Sequence, residues 1–336
     1  MTLRESARSI FDAALAAGDV RPLVAQALAG IAKPERGRVL VVGAGKASGA
    51  MAAAVEAAWG DRITDGVVAV KDGYTAPTRR VRVVEAGHPV PDERGAAAAR
   101  EIRDLAESAG AEDLVLVLVS GGGSALTPAP APPVTLADKQ AVTRLLLAAG
   151  ATINQLNAVR KHCSLLKGGQ LARAAAPARV EALLLSDVVG DPLDVIASGP
   201  TTPDYSTFAD ALRILDGFGL RDRAPAAVIL RLERGARGEI PETPKRGDPL
   251  FARVRNTVIG NNALVVDAAA ARARALGLEP HVLTRAFEGE ARDAARRFVE
   301  LARAIRAGTG PVAPPACVIA GGETTVTVRG RGRGGR

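Results

Sequence analysis

The sequence predicts an α/β protein with a largely parallel sheet, and the pattern occurs twice along the chain. Three observations predict it. Short apolar runs alternate with longer segments of helical periodicity. The run at 114–119, LVLVLV, has no polar face, as in a strand buried on both sides of its sheet. Nearly every glycine-rich polar cluster (GAGK, SGGGS, SDVVGD, GNN, GGETT) comes directly after such a run. Ligands of open α/β sheets bind beyond the carboxyl ends of the strands, which is where these clusters fall.

Residues 2–30 place Leu3, Ala7, Ile10, Phe11, Ala14 and Leu15 at helical spacing and predict one or two helices. A strand at 39–42 runs into GAGKASGAM, a glycine-rich turn before an alanine-rich helix. Strands at 67–70 and 81–86 follow, then a helix over 95–109 and the strand that begins at Leu114. The run PAPAPP interrupts regular structure, and a helix resumes over 136–149. A further helix is predicted over 152–176. Asn157, Arg160, Lys161, Ser164 and Lys167 recur there at three- and four-residue steps and share one face. A strand at 183–185 stops at the loop 186–204, rich in Asp, Gly and Pro, and helices follow around 208–217 and 224–234. Pro, Gly and mixed charge make 235–249 the best linker, dividing the chain into domains 1–235 and 236–336. Beyond it the alternation restarts, with strands at 257–259, 281–284, 317–320 and 326–328 and helices over 263–276 and 288–307.

The 336 residues suffice for one large or two medium domains. With aromatics at 3%, the core must be built from Ala, Val and Leu. A net charge of +8 raises the question of nucleic acid. However, Arg329, Arg331, Arg333 and Arg336 crowd the last eight residues, and the other cations mix with acids along helices. No aromatic residues interleave with basic ones as a base-stacking surface requires. The expected partners are anionic small molecules, with no nucleic acid and no membrane, and self-assembly stays open. The start, MTLRESARSIF, carries charge where a signal peptide needs an apolar run. Two distant cysteines, Cys163 and Cys317, fit a reducing, cytoplasmic setting better than a disulfide framework.

Four clusters carry candidate chemistry. GAGKAS lacks Walker A spacing, and Ser48 stands where a dinucleotide fingerprint needs its third glycine. Its turn, with Gly45, could seat an anion while Lys46 supplies a point charge; a tight turn with an exposed lysine is the plain alternative. Ser120, Gly121, Gly122, Gly123 and Ser124 leave backbone N–H groups open for a phosphate or carboxylate. A nucleophile elbow is excluded because position 126 is Leu126, not glycine. Asp187 and Asp191, at and after a strand end, suit Mg²⁺, or proton exchange with a substrate hydroxyl. The face bearing Asn157, Arg160 and Lys161 could neutralise a polyphosphate or a carboxylate.

In the same order along the chain, GAGKASGAM, SGGGSAL, NAVRKHCSLLKGGQLA, LLLSDVVGDPLDVIASGPTTPD, IGNN and GGETTVTVRGRGRGGR resemble the motifs of the prokaryotic glycerate 2-kinase family. Members of that family are often labelled hydroxypyruvate reductases. The resemblance covers essentially the whole chain. It implies a Rossmann-like three-layer amino-terminal domain, a smaller α/β carboxyl-terminal domain, and an active site in the cleft between them. It also implies phosphorylation of the C2 hydroxyl of D-glycerate to 2-phosphoglycerate, using ATP and Mg²⁺. The family's GAGK lysine, implicated in catalysis, falls on Lys46, and the arginine of its GxGxGGR motif falls on Arg336. Family members continue beyond that arginine, so the second domain is expected to be incomplete here. In this reading Lys46 and Arg336 offset charge on the transferred group, and Asp187 or Asp191 holds Mg²⁺ or orients the hydroxyl. The label leaves a second reading, an NAD(P)H-dependent hydroxypyruvate reductase. Against it, the dinucleotide fingerprint is incomplete and no histidine is plainly placed for hydride transfer.

Overall fold

The computed structural model describes residues 1–327 and Gly330. Along it run α1 (Leu3–Ala17), α2 (Val20–Ala29), β1 (Val39–Ala44), α3 (Ser48–Trp59), β2 (Asp65–Lys71), β3 (Val81–Ala86) and α4 (Glu93–Glu107). Then come β4 (Leu114–Val119), α5 (Gly123–Leu126), α6 (Leu136–Ala148), α7 (Ile153–His162), α8 (Gln170–Ala175) and β5 (Arg179–Leu185). The last elements are α9 (Phe208–Gly217), α10 (Ala226–Ala236), β6 (Val254–Gly260), α11 (Asn262–Ala275), β7 (Glu279–Phe287), α12 (Ala291–Arg306) and β8 (Ala316–Gly322).

A six-stranded sheet has the order β3-β2-β1-β4-β5-β6, and the β1–β2, β2–β3, β1–β4 and β4–β5 pairings are parallel. The order is that of a Rossmann sheet, reversing direction between β1 and β4, where such sheets bind ligands. Alternate residues of the central strands, Val39, Val41, Leu114, Leu116 and Leu118, pack with Val24 and Leu28 of α2 and Met51 and Val55 of α3. The residues between them, such as Leu40, Val42, Val115 and Val117, are equally buried, as are Ala98, Ala99 and Ile102 of α4, which lies against β1–β3. That is why these strands show no polar alternation: helices cover both faces. The β1–β4 register ends at Ala44↔Val119, so Gly45 and Ser120 leave the sheet side by side.

The chain divides into two compact units: a larger one of Val20–Leu185 and Pro192–Ile259, and a smaller one of Met1–Asp19, Ser186–Asp191 and Gly260–Arg336. The composition-based boundary at 235/236 does not coincide with this division. Residues 235–249 resemble a linker in composition, yet Glu242, Thr243 and Lys245 bond to Phe208, Asp204 and Ser206 and make the segment a packed strap. In the larger unit α6, α7, α9 and α10 share a second core around Leu146, Val159, Phe208 and Leu232. In the smaller unit Ile10 and Ala14 of α1 pack on Val266, Ala269 and Ala273 of α11 and on Ile319 of β8, which pairs in parallel with β7.

The helix expected over 152–176 is two helices. Thr152 and Gln155 form a capping box that starts α7, but the helix ends at His162. Gly168 and Gly169 have φ of +58° and +79°, and a Cβ on Gly169 would lie 2.8 Å from the Thr202 carbonyl oxygen. The shared polar face therefore stops at Lys161, and Ser164 and Lys167 lie beyond it. Part of the strand expected at 326–328 falls outside the described residues.

Candidate active site

Where β1 and β4 end, two glycine loops are clasped backbone to backbone. Lys46 N–H donates to the Gly121 carbonyl at 2.9 Å, and Ala47 N–H donates to Ser120 Oγ at 2.9 Å. Gly45 N–H is spent on the Ala69 carbonyl, and with φ of +150° its Cβ would lie 2.1 Å from Ser120 Oγ. Ser120 is buried. Gly45 and Ser120 thus hold the loops together, and neither offers a free donor to an anion. The N–H groups of Gly121 and Gly122 remain, donating to no backbone or side-chain acceptor among the described residues. The Lys46 side chain, half-buried, makes no ion pair among the described residues. It lies over Gly122, whose Cβ would meet Lys46 Cε at 3.4 Å and the His88 ring at 3.0 Å.

Gly123 sits under the loop, so close that its Cβ would lie 2.7 Å from the Ala44 carbonyl oxygen. From Ser124 a line of hydrogen bonds runs to α7. Ser198 Oγ donates to Asn157 Oδ1 at 2.9 Å, and Ser124 Oγ lies 2.9 Å from Ser198 Oγ. Ser198 has one hydroxyl proton and spends it on Asn157, so Ser124 is the donor in the other contact. Ser124 then offers a ligand only lone pairs. Asn157 Nδ2, buried, has no partner among the described residues. Ala197 and Ser198 hold φ of +50° and +63°, strained values that bring Ser198 between the two.

Lys161 differs from Lys46. Its ammonium is 3.2 Å from Asp204 Oδ1 and 3.4 Å from Asp194 Oδ2. Asp204 also accepts from Ser206 and Thr243. Both ring nitrogens of His162 face acceptors, Nδ1 the Ala158 carbonyl and Nε2 Glu242 Oε2. Burial opposes ionisation of Glu242, yet hydrogen bonds from His162 and Phe208 N–H, with Lys245 nearby, hold its carboxyl down at about 2. Arg160, next along α7, makes no ion pair among the described residues, and burial lowers its pKa. Two further lysines are fully buried against carbonyls alone, Lys139 on Pro128 and Lys167 on Thr127. Burial brings Lys139 down to about 7 and Lys167 well below the usual lysine range.

In the smaller unit, Asp187 is exposed, while Asp191 adopts φ of +52° and accepts from Asn261 Nδ2 at 2.6 Å. Asn261 Oδ1 caps α11 through Leu264 N–H, so the helix start fixes the aspartate. Among the described residues no cluster of three His, Cys, Asp or Glu side chains could hold a metal. A single carboxylate with an open oxygen, as on Asp191, fits Mg²⁺, which takes its other ligands from water and phosphate. Arg336 lies outside the described residues. Sequence reasoning did not single out His88, Ser198 or Asn261 as site residues. For His88 and Asn261 the signal was present, since each stands in a polar loop just past a strand. No helix among the described residues is long and apolar enough to cross a membrane.

The family described as "Domain of unknown function (DUF4147)" matches residues 6–233. A protein of Agrobacterium vitis, provisionally named a hydroxypyruvate reductase, is 45% identical over 340 residues, spanning 100% of this chain and 74% of that protein. Glycerate 2-kinase of Pyrococcus horikoshii is 42% identical over 297 residues, spanning 88% of this chain and 66% of its own length. Among solved structures, glycerate kinase of Thermotoga maritima superposes with a TM-score of 0.86 at 38% identity, covering 99% of this chain and 77% of that one.

Proposed function

The chain belongs to the glycerate kinase family, and from that premise we propose that it transfers the γ-phosphoryl group of ATP to the C2 hydroxyl of D-glycerate, giving 2-phosphoglycerate. The observation that carries the reading is at the β1/β4 switch point. There Lys46, without an ion-pair partner among the described residues, stands over a loop whose Gly121 and Gly122 N–H groups have no acceptor among them. Phosphoryl transfer asks little covalent chemistry of a protein, so charge and positioning carry the catalysis. The C2 oxygen bonds to the γ-phosphorus as the bond from that phosphorus to the bridging oxygen of ADP breaks. Lys46 offsets charge on the transferred group, with Arg336 assigned the same role, and the two glycine amides hold a phosphoryl oxygen. Arg160 supplies a further fixed positive charge for the anionic groups. Asp187 orients the hydroxyl and takes its proton, and Asp191 would hold Mg²⁺. When bound, that ion neutralises charge on the β- and γ-phosphates.

The test is ADP release measured with and without D-glycerate, with the product identified by phosphorus NMR. Release that depends on D-glycerate, with 2-phosphoglycerate formed, is expected. Formation of 3-phosphoglycerate, or oxidation of NADH by hydroxypyruvate in the absence of ATP, overturns the reading.

A further inference from the structure

An open pocket of about 450 Å³ in the larger unit lies between α7 and the segment 192–210, with Asn154, Asn157, Lys161, Asp194, Tyr205 and Asp210 on its walls. Most of its polar lining is already engaged. Asp204, also on the wall, is saturated by Lys161, Ser206 and Thr243, and Asp210 caps α9 through Thr207 and pairs with Arg213. Among the described residues, the exposed Asn154 amide, Asn157 and Asp194 keep capacity. Asn157, 3% exposed, has an amide nitrogen with no partner among the described residues. Among the described residues Asp194 receives only the 3.4 Å contact from Lys161, which leaves its other oxygen open. Tyr205 exposes 69% of its surface there, in a chain that has only two tyrosines.

A ligand for this pocket needs an acceptor for Asn157, hydroxyl donors for Asp194 and a flat face for Tyr205. Three carboxylates against one ammonium disfavour a small anion, and a three-carbon acid would leave most of the volume empty. A nucleoside meets every requirement: it is neutral, carries a diol and has a π face. Asn157, on the pocket wall, is joined through Ser198 to Ser124 of the glycine loop by hydrogen bonds, so the pocket and the loop that bears the free amides are structurally linked. We propose that this pocket is the nucleoside subsite for ATP, with Tyr205 stacked on the base, Asp194 accepting from the ribose hydroxyls and Asn157 Nδ2 donating to the ligand. The inference rests on the kinase reading and deepens it by separating the nucleotide's place from that of the acid.

The test compares Tyr205→Ala and Asp194→Asn with the unaltered chain, using calorimetry of ADP binding and the KM values for ATP and D-glycerate. Both side chains reach solvent, and thermal melts confirm that the variants fold. Tyr205→Ala is expected to weaken ADP and to raise KM for ATP about tenfold. Asp194→Asn should act in the same direction by about fivefold. The KM for D-glycerate should move less than about twofold, since each effect is confined to the base or ribose contact. A raised KM for D-glycerate with ADP affinity unchanged assigns the pocket to the acid and overturns the inference, as does unaltered ADP affinity in both variants. If the unaltered chain binds ADP but releases none with D-glycerate, the kinase reading fails while the subsite survives. If it turns over and Tyr205→Ala binds ADP normally, the subsite alone fails.

Discussion

The glycine loops beyond β1 and β4 and the polar cluster beneath α7 both contain lysine, and they use it in opposite ways. In the loops, backbone holds backbone: Lys46 N–H binds the Gly121 carbonyl, while its side chain is left without a partner among the described residues. Beneath α7, side chains hold one another: Lys161 binds Asp204 and Asp194, Thr243 binds Asp204, and His162 binds Glu242. Where main-chain groups carry the architecture, charged side chains are released for chemistry. Where side chains carry it, a run of polar residues on a helix is spent on its neighbours, and an atom such as Asn157 Nδ2 is left without a partner among the described residues.

Substituting Lys46 tests that contrast most severely. Lys46→Met should lower turnover about 10²–10³-fold, the usual cost of losing one preorganised charge-stabilising donor. The thermal midpoint should move by no more than about 2 °C, since no ion pair is broken. Rates and melts on the same preparation decide the matter. A large fall in midpoint would put Lys46 in the structural class with Lys161.

Asp204→Ala addresses the other side. It leaves Lys161, itself buried, with one contact at 3.4 Å and removes the acceptor for Thr243 and Ser206. Stability should fall by about 3 kcal/mol, as when one member of a buried charged pair is removed. Urea unfolding measures it, and a loss below about 1 kcal/mol would show that the cluster is not what holds α7 to the strap.

The same contrast explains what could be read in advance. The sheet was legible because burial on both faces removes polar residues from β1 and β4, and glycine is needed where Gly45 and Gly123 approach neighbouring backbone. The loops were legible as a candidate site because their glycines sit at strand ends. The partition of roles within them was not, since Ser120 and Ser124 look alike in sequence. One is spent on Ala47 N–H and the other turns toward Ser198, 74 residues on. Lys161 was read as a ligand group because a charged helix face carries no mark of its partners, and Asp204 is 43 residues away. The end of α7 was missed for a related reason: one helix was expected over 152–176, whereas Gly168 and Gly169, with positive φ, cannot continue helical geometry.

Lys139 presents a third condition, a buried lysine with neither freedom nor a carboxylate, and it yields the smallest predicted effect. Among the described residues its ammonium meets only the Pro128 carbonyl, and burial brings its pKa down to about 7 in the folded chain against an ordinary 10.5. Between those values the unfolded chain holds a proton that the folded chain has lost. Stability must therefore rise with pH across that window, by up to about 1.4 kcal/mol per pH unit from this group, and is lowest where both states are charged. Lys139→Met removes the titration. The variant should equal or exceed the unaltered chain in stability at pH 7, and its advantage should shrink by about 1 kcal/mol per unit as urea melts are repeated toward pH 10. A difference independent of pH would mean that Lys139 stays charged when folded. The distinction between lysines held by backbone and lysines held by acids would then fail at this position.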